Sequence, residues 1–160
     1  MWITPSGVPR YLITSNDLVK VNVKTGEKIG RQQPSIEKNM HRAIYTSCPK
    51  ARAIVHTHSP YTVAISISSE FRHVIEEAKI VVDTPAVISN RPSGSKALAE
   101  AVAREFKAGA RAVVVRNHGV VAAGTSIHHT RAVVESLEEW SKILAVTRLF
   151  GGAKYFLRDD

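Results

Sequence analysis

A single cysteine, Cys48, stands among 160 residues, which excludes an internal disulfide and any zinc site built from cysteines. No apolar run approaches the roughly 20 residues needed to cross a bilayer. The opening Met1-Trp2-Ile3-Thr4-Pro5-Ser6 has neither the basic nor the apolar region of a signal peptide. These absences point to the cytoplasm and away from a membrane. Aromatic residues make up only 6% of the chain. Lys and Arg outnumber Asp and Glu by 22 to 14, yet they are scattered along the chain, with no basic run carrying interleaved aromatics. Nucleic acid is therefore an unsuitable partner. The formal charge of +8 suits a small phosphorylated substrate and an ordinary solvated surface equally well. Repeats, low-complexity stretches and internal linkers are also lacking. With 44% hydrophobic residues, the chain reads as one domain over 1–160.

What is present is organised around Ala53-Ile54-Val55-His56-Thr57-His58-Ser59-Pro60. Ala51 to His58 reads as a central strand, and side chains at i and i+2 share one face of a strand, roughly 7 Å apart. His56 and His58 can therefore aim at one point. Two imidazoles so placed can hold a transition metal if further ligands arrive from elsewhere, although paired strand histidines also serve as ordinary packing or surface residues. Ser59-Pro60 offers an N-cap with proline at N1 and opens a helix through Ser68, so the pair sits at a strand-to-helix junction, where open α/β folds place their sites.

The rest of the chain supplies candidates for the missing ligands. Thr4-Pro5-Ser6-Gly7 is turn chemistry, Leu18 to Val23 alternates, and Lys24-Thr25-Gly26-Glu27 has the composition of a hairpin tip. Ser35 is a candidate N-cap for a helix to Ser47 with Ile36, Met40, Ala43 and Ile44 as its apolar stripe. Glu37 then falls in the first turn, where a carboxylate is favoured by the helix dipole whether or not it has a chemical role. His41 lies one turn on, as a packing histidine or a supporting partner. Phe71 to Val87 is ambiguous, with Lys79 to Val82 reading as a short strand after Glu76-Glu77. Ser93-Gly94-Ser95 starts an amphipathic helix carrying Leu98, Val102 and Phe106. Ala110 to Val115 and Val120 to Gly124 are apolar strands joined through Arg116-Asn117-His118-Gly119, which sets His118 at a bend. A long helix from Ser126 to Leu149 carries Val133, Leu137, Trp140 and Leu144 at helical spacing, has His128 and His129 facing solvent in its first turn, and ends at Gly151-Gly152. Three neutral imidazoles leave a zinc ion its full charge and an open position, the arrangement of catalytic sites.

Taken in order, Ile3-Thr4-Pro5-Ser6-Gly7, Pro34-Ser35-Ile36-Glu37, His56-Thr57-His58-Ser59-Pro60 and Asn117-His118-Gly119 resemble the class II aldolase/adducin family over nearly the whole chain. Glu76-Glu77-Ala78 and Leu98-Ala99-Glu100-Ala101-Val102 are weaker matches. The resemblance implies an α/β fold of the α+β type: one three-layer domain with a central, mainly antiparallel sheet flanked by helices. It implies His56, His58 and His118 as ligands of one zinc ion per subunit. Glu37 would be the catalytic acid/base, able to close onto the metal when substrate is absent. Ser6, Gly7 and Ser35 match positions that hold the substrate phosphate. The implied reaction is reversible aldol cleavage of a ketose 1-phosphate, L-fuculose 1-phosphate or a similar sugar, to dihydroxyacetone phosphate and an aldehyde, in a homotetramer. Three departures stand out. The family's Gly-Thr/Ser-x-Gly-Asn segment would precede Met1, so the expectation is a domain lacking the family's N-terminal segment. Ile36 replaces the second of two serines, and no tyrosine follows the His-x-His helix. A sugar-phosphate 4-epimerase, which carries aspartate in place of Glu37, and a methylthioribulose-phosphate dehydratase are alternatives within the superfamily. An adducin-like binding module, which lacks the metal histidines, and a truncated copy with little turnover are the non-catalytic ones.

Overall fold

A computed structural model describes residues 1–68 and 71–157; residues 69–70 and 158–160 of the expected domain lie outside this description. The chain begins with β1 (Trp2–Ile3), β2 (Val19–Val21) and β3 (Lys28–Ile29), which form a small antiparallel sheet in that order. Around the Lys24–Glu27 tip, Asn22 and Gly26 or Glu27 exchange backbone hydrogen bonds of 2.8 and 2.9 Å. Then come α1 (Lys38–Ser47), β4 (Ala53–Thr57), α2 (Pro60–Ser68), α3 (Glu76–Val81), β5 (Ala86–Ile88), α4 (Lys96–Lys107), β6 (Ala112–Val115), β7 (Gly119–Gly124) and α5 (Ile127–Thr147).

The central sheet has the order β4-β7-β6-β5, antiparallel except where β5 meets β6. Its alternation sorts the core into two layers. Ala112, Val114, Val120 and Ala122 pack with α2, α3 and α5, including the fully buried Leu137 and Trp140. Val113, Val115, Val121 and Ile54 pack on the other face with Met40 and Ile44 of α1 and Leu98, Val102 and Phe106 of α4. The expected three-layer α+β architecture is therefore what the chain adopts. The parity that puts Ile54 on the α1/α4 face puts His56 there as well, toward the segment that carries Glu37.

Two local expectations are corrected. Lys79 to Val82 is no strand: Glu76–Val81 is helical. Ala78 and Val82, four residues apart, are both fully buried against α5. The Arg111 guanidinium donates to the last carbonyls, of Ile80 and Val81, which satisfies acceptors a helix end leaves open. A short apolar run cannot announce this from periodicity alone. The second correction concerns Ser35, which does not cap α1; the helix begins at Lys38 with Glu37 in the capping position. The Ser35 N–H is committed to the Thr4 carbonyl at 3.0 Å, and Pro5 and Pro34 form an isolated antiparallel bridge, so Ser35 is held in extended pairing. Its hydroxyl instead accepts the Glu37 N–H at 3.2 Å, in the turn at residues 36–37 that leads into the helix. Boundaries shift elsewhere: the strands expected at Ala51–His58 and Leu18–Val23 contract to β4 and β2, and α5 gives way at Thr147 to a 3-10 turn, Arg148–Phe150.

Candidate metal centre

β4 and β7 pair with His56 opposite Val121 and Thr57 opposite Val120, so the end of β4 lies beside the turn that enters β7. Gly119 makes this approach possible, because a Cβ there would collide with the Thr57 carbonyl and crowd the His58 ring. At the turn Asn117 takes a positive φ of 58°, which asparagine tolerates better than most residues. The His118 N–H returns to the Val115 carbonyl at 3.1 Å. Residues 60 positions apart in sequence thus deliver three imidazoles to one place. Their ring centroids are 5.0 to 5.3 Å apart, and one ligand atom from each lies within 4.8 Å of the others.

The chemistry of this cluster fits a divalent ion of the zinc type. His56 Nδ1 lies 2.9 Å from the Val120 carbonyl, a hydrogen bond that places the proton on Nδ1 and leaves the Nε2 lone pair free. His56 Nε2 and His118 Nδ1 are buried with no hydrogen-bond partner among the described residues, an arrangement costly unless a ligand engages them. Burial, and secondarily the neighbouring imidazoles, drive His56 down to about 3 against the partial opposition of the Val120 hydrogen bond. His58 is also lowered, first by desolvation and then by Arg10 and His118, with Glu37 opposing. Both are therefore neutral and ready to coordinate near neutral pH.

Glu37 is 4% exposed, and one carboxylate oxygen lies 3.8 Å from His118 Nε2. The Gly94 N–H donates to the same carboxylate at 3.2 and 3.3 Å to its two oxygens. Asn39, on the first turn of α1, donates to the Gly94 carbonyl at 3.3 Å. A cleft of about 260 Å³ connects these groups to Ser6, Gly7 and Ser35. The Ser6 N–H is bonded to the Gln33 carbonyl at 2.9 Å, which ties the Thr4–Gly7 turn to the segment leading into α1. All seven residues singled out in the sequence, Ser6, Gly7, Ser35, Glu37, His56, His58 and His118, line this one cleft. His41 is half-buried behind them and lowered to about 4 by desolvation. His128 and His129 are exposed, as expected. Sequence reasoning missed Arg10 and Ser93 as cleft residues and Gly94 as the holder of Glu37. The serine-flanked Gly94 reads as a helix start, and nothing local reveals that its N–H points back at a residue 57 positions earlier.

This arrangement has known counterparts. The family described as Class II Aldolase and Adducin N-terminal domain matches residues 1–145. A protein named L-fuculose phosphate aldolase from Methanococcus maripaludis is 32% identical over 144 residues, covering 89% of this chain and 77% of that one. A 5-deoxy-D-ribulose 1-phosphate aldolase from Bacillus thuringiensis serovar kurstaki is 33% identical over 160 residues, covering 99% and 74%. Among solved structures, one named L-fuculose 1-phosphate aldolase superposes with a TM-score of 0.85 at 28% identity, over 99% of this chain and 74% of that one. The chain thus belongs to the class II aldolase and adducin N-terminal domain family, on the side of its aldolase enzymes.

Proposed function

We propose that the chain is a zinc-dependent sugar-phosphate aldolase. It reversibly cleaves a ketose 1-phosphate of the L-fuculose 1-phosphate type to dihydroxyacetone phosphate and an aldehyde. The observation that carries this reading is the convergence of His56, His58 and His118 within 4.8 Å, beside a buried carboxylate in a cleft that also holds Ser6, Gly7 and Ser35. One zinc ion per subunit, held by the three histidines, would supply Lewis acidity to the carbonyl and adjacent hydroxyl of the ketose. Glu37 moves the proton. In cleavage the hydroxyl on the departing carbon gives up its proton as its oxygen becomes the aldehyde carbonyl, the electrons of the broken carbon–carbon bond pass to the ketose fragment, and Glu37 returns a proton to that carbon; synthesis reverses these transfers. The same carboxylate lies 3.8 Å from His118 Nε2 and would be able to help hold the ion when substrate is away.

Ser6, Gly7 and Ser35 receive the phosphate. The Ser35 oxygen accepts from the Glu37 N–H, which leaves its own O–H free to donate to an anion. The turn at Gly7, φ 76°, lets a bulky oxyanion approach the backbone. Three metal-competent histidines favour an enzyme over an adducin-like binding module, and glutamate at position 37 favours an aldolase over a 4-epimerase. The same reading makes the enzyme a cytoplasmic homotetramer. Among the described residues, no helix is long and apolar enough to cross a membrane.

The test is a coupled assay for dihydroxyacetone phosphate release. Zinc-loaded protein is given a panel of ketose 1-phosphates, with this chain run beside a version extended upstream. We expect turnover of L-fuculose 1-phosphate or a close analogue. Activity confined to the longer form would assign the deficit to the upstream segment, whereas no release from any substrate by either form would refute the aldolase reading.

A further inference from the structure

The chain leaves the metal centre directly into a helix: two residues after His58, Pro60 begins α2. A helix opening with proline still has unsatisfied N–H groups at its second and third positions. Here the ordinary local cap is replaced by a carboxylate from the far end of the sequence. Glu138, midway along α5, accepts the N–H of Tyr61 at 3.1 Å and of Thr62 at 2.9 Å. The Thr62 hydroxyl also donates to it at 2.7 Å. Behind this, the Ser141 hydroxyl lies 3.1 Å from the Thr62 hydroxyl and 2.6 Å from the Leu137 carbonyl, to one of which it donates its single proton. Thr62 and Ser141 are fully buried. A charged acceptor on paired N–H groups at a helix N-terminus makes short, strong hydrogen bonds that fix direction, and a fully satisfied buried network of this kind is rigid. His58 itself is exposed and, among the described residues, has no tether comparable to the one His56 finds at the Val120 carbonyl.

We propose that Glu138 is a positioning residue for the metal centre: by clamping the first turn of α2 to α5, it fixes where the chain carrying His58 stands relative to His56 and His118. The inference rests on the reading of the three histidines as metal ligands. It differs from a simple cap in predicting that the ion is lost before the fold.

The experiment compares wild type, Glu138→Gln, Glu138→Ala and Val102→Ala, the last a core truncation in the opposite helical layer. Cobalt(II) and zinc(II) affinities are measured by competition with a chromogenic chelator, and the cobalt absorption spectrum and the melting temperature are recorded for each. We expect Glu138→Ala to weaken metal binding at least tenfold at temperatures where it is fully folded, with an altered cobalt spectrum. Glu138→Gln, which keeps the reach and one acceptor oxygen, should recover part of the loss. Val102→Ala should stay within twofold of wild type despite a lower melting temperature. Affinity unchanged in Glu138→Ala, or lost equally in Val102→Ala, would overturn the proposal while leaving the metal site intact. A wild-type protein that takes up neither metal would overturn both.

Discussion

Changing Glu37 to Gln preserves the shape of the side chain and its contact with the Gly94 N–H but removes the group that can exchange a proton with carbon. We expect zinc content to be retained and turnover to fall by about 10²–10⁴, the usual cost of losing a general acid/base. His58→Ala should instead remove metal and activity together, so elemental analysis beside the rate assay separates the two roles. The desolvation of His41 and His56 also makes metal-free stability depend on pH. The unfolded chain protonates each imidazole near 6.5, whereas the folded chain resists until about 4 at His41 and about 3 at His56. Between those limits the unfolded state holds more protons. Stability therefore rises with pH in that window, by roughly 1.4 kcal/mol per unit for each histidine well inside it. Above about 6.5 no penalty remains. Denaturant titrations of chelator-treated protein from pH 7 to 4.5 should show a midpoint that falls steadily as acid is added; a flat profile would contradict the burial of His41 and His56.

At the level of elements, the site depends on two backbone approaches that leave no room for a side chain. Gly119→Ala would drive a methyl group into the Thr57 carbonyl and force β7 away from the end of β4, separating His118 from the other two imidazoles. The expected result is a folded protein with metal affinity reduced by more than tenfold and a lower melting temperature. Gly94→Ala combines a φ of 72° with a Cβ 2.9 Å from the Ile36 carbonyl, so strain of about 1–3 kcal/mol falls on the turn that holds Glu37. Here zinc should bind normally and kcat should drop, a split that distinguishes the two glycines in a single set of measurements. Either variant behaving as wild type would remove the corresponding contact from the account.

On the scale of the whole molecule, the helical layers leave apolar side chains uncovered beyond the end of α5. Tyr155 is 90% exposed, Leu149 83% and Phe150 78%, three large apolar side chains within seven residues left to water. Closed cyclic symmetry is the common way a small domain covers such a face. We expect light scattering at micromolar concentration to return four chains per particle, and Leu149→Ser with Phe150→Ser to lower that number. A wild-type monomer would count against assembly.

The sequence by itself determined β4, β6 and β7, the long C-terminal helix and seven of the residues that line the cleft, but not β5, which lies in a stretch of ambiguous period. Each rests on a local property that survives folding: an unbroken apolar run from Ala112 to Val115, helical spacing from Val133 to Leu144, or a motif whose residue types have few other uses together. Its failures were equally local in origin. Four apolar-rich residues at Lys79–Val82 fit either period, and burial against α5 decided for a helix. Ser35 has ideal capping chemistry and its hydroxyl does accept the Glu37 N–H, but a turn at residues 36–37 intervenes before the helix, which starts only at Lys38. What only the tertiary structure decided is every relation between distant segments: Gly94 facing Glu37, Glu138 capping α2 and Gly119 making room for Thr57. These depend on which backbone groups are left unpaired once the layers have packed, and an unpaired N–H has no signature in the identity of the residue that carries it.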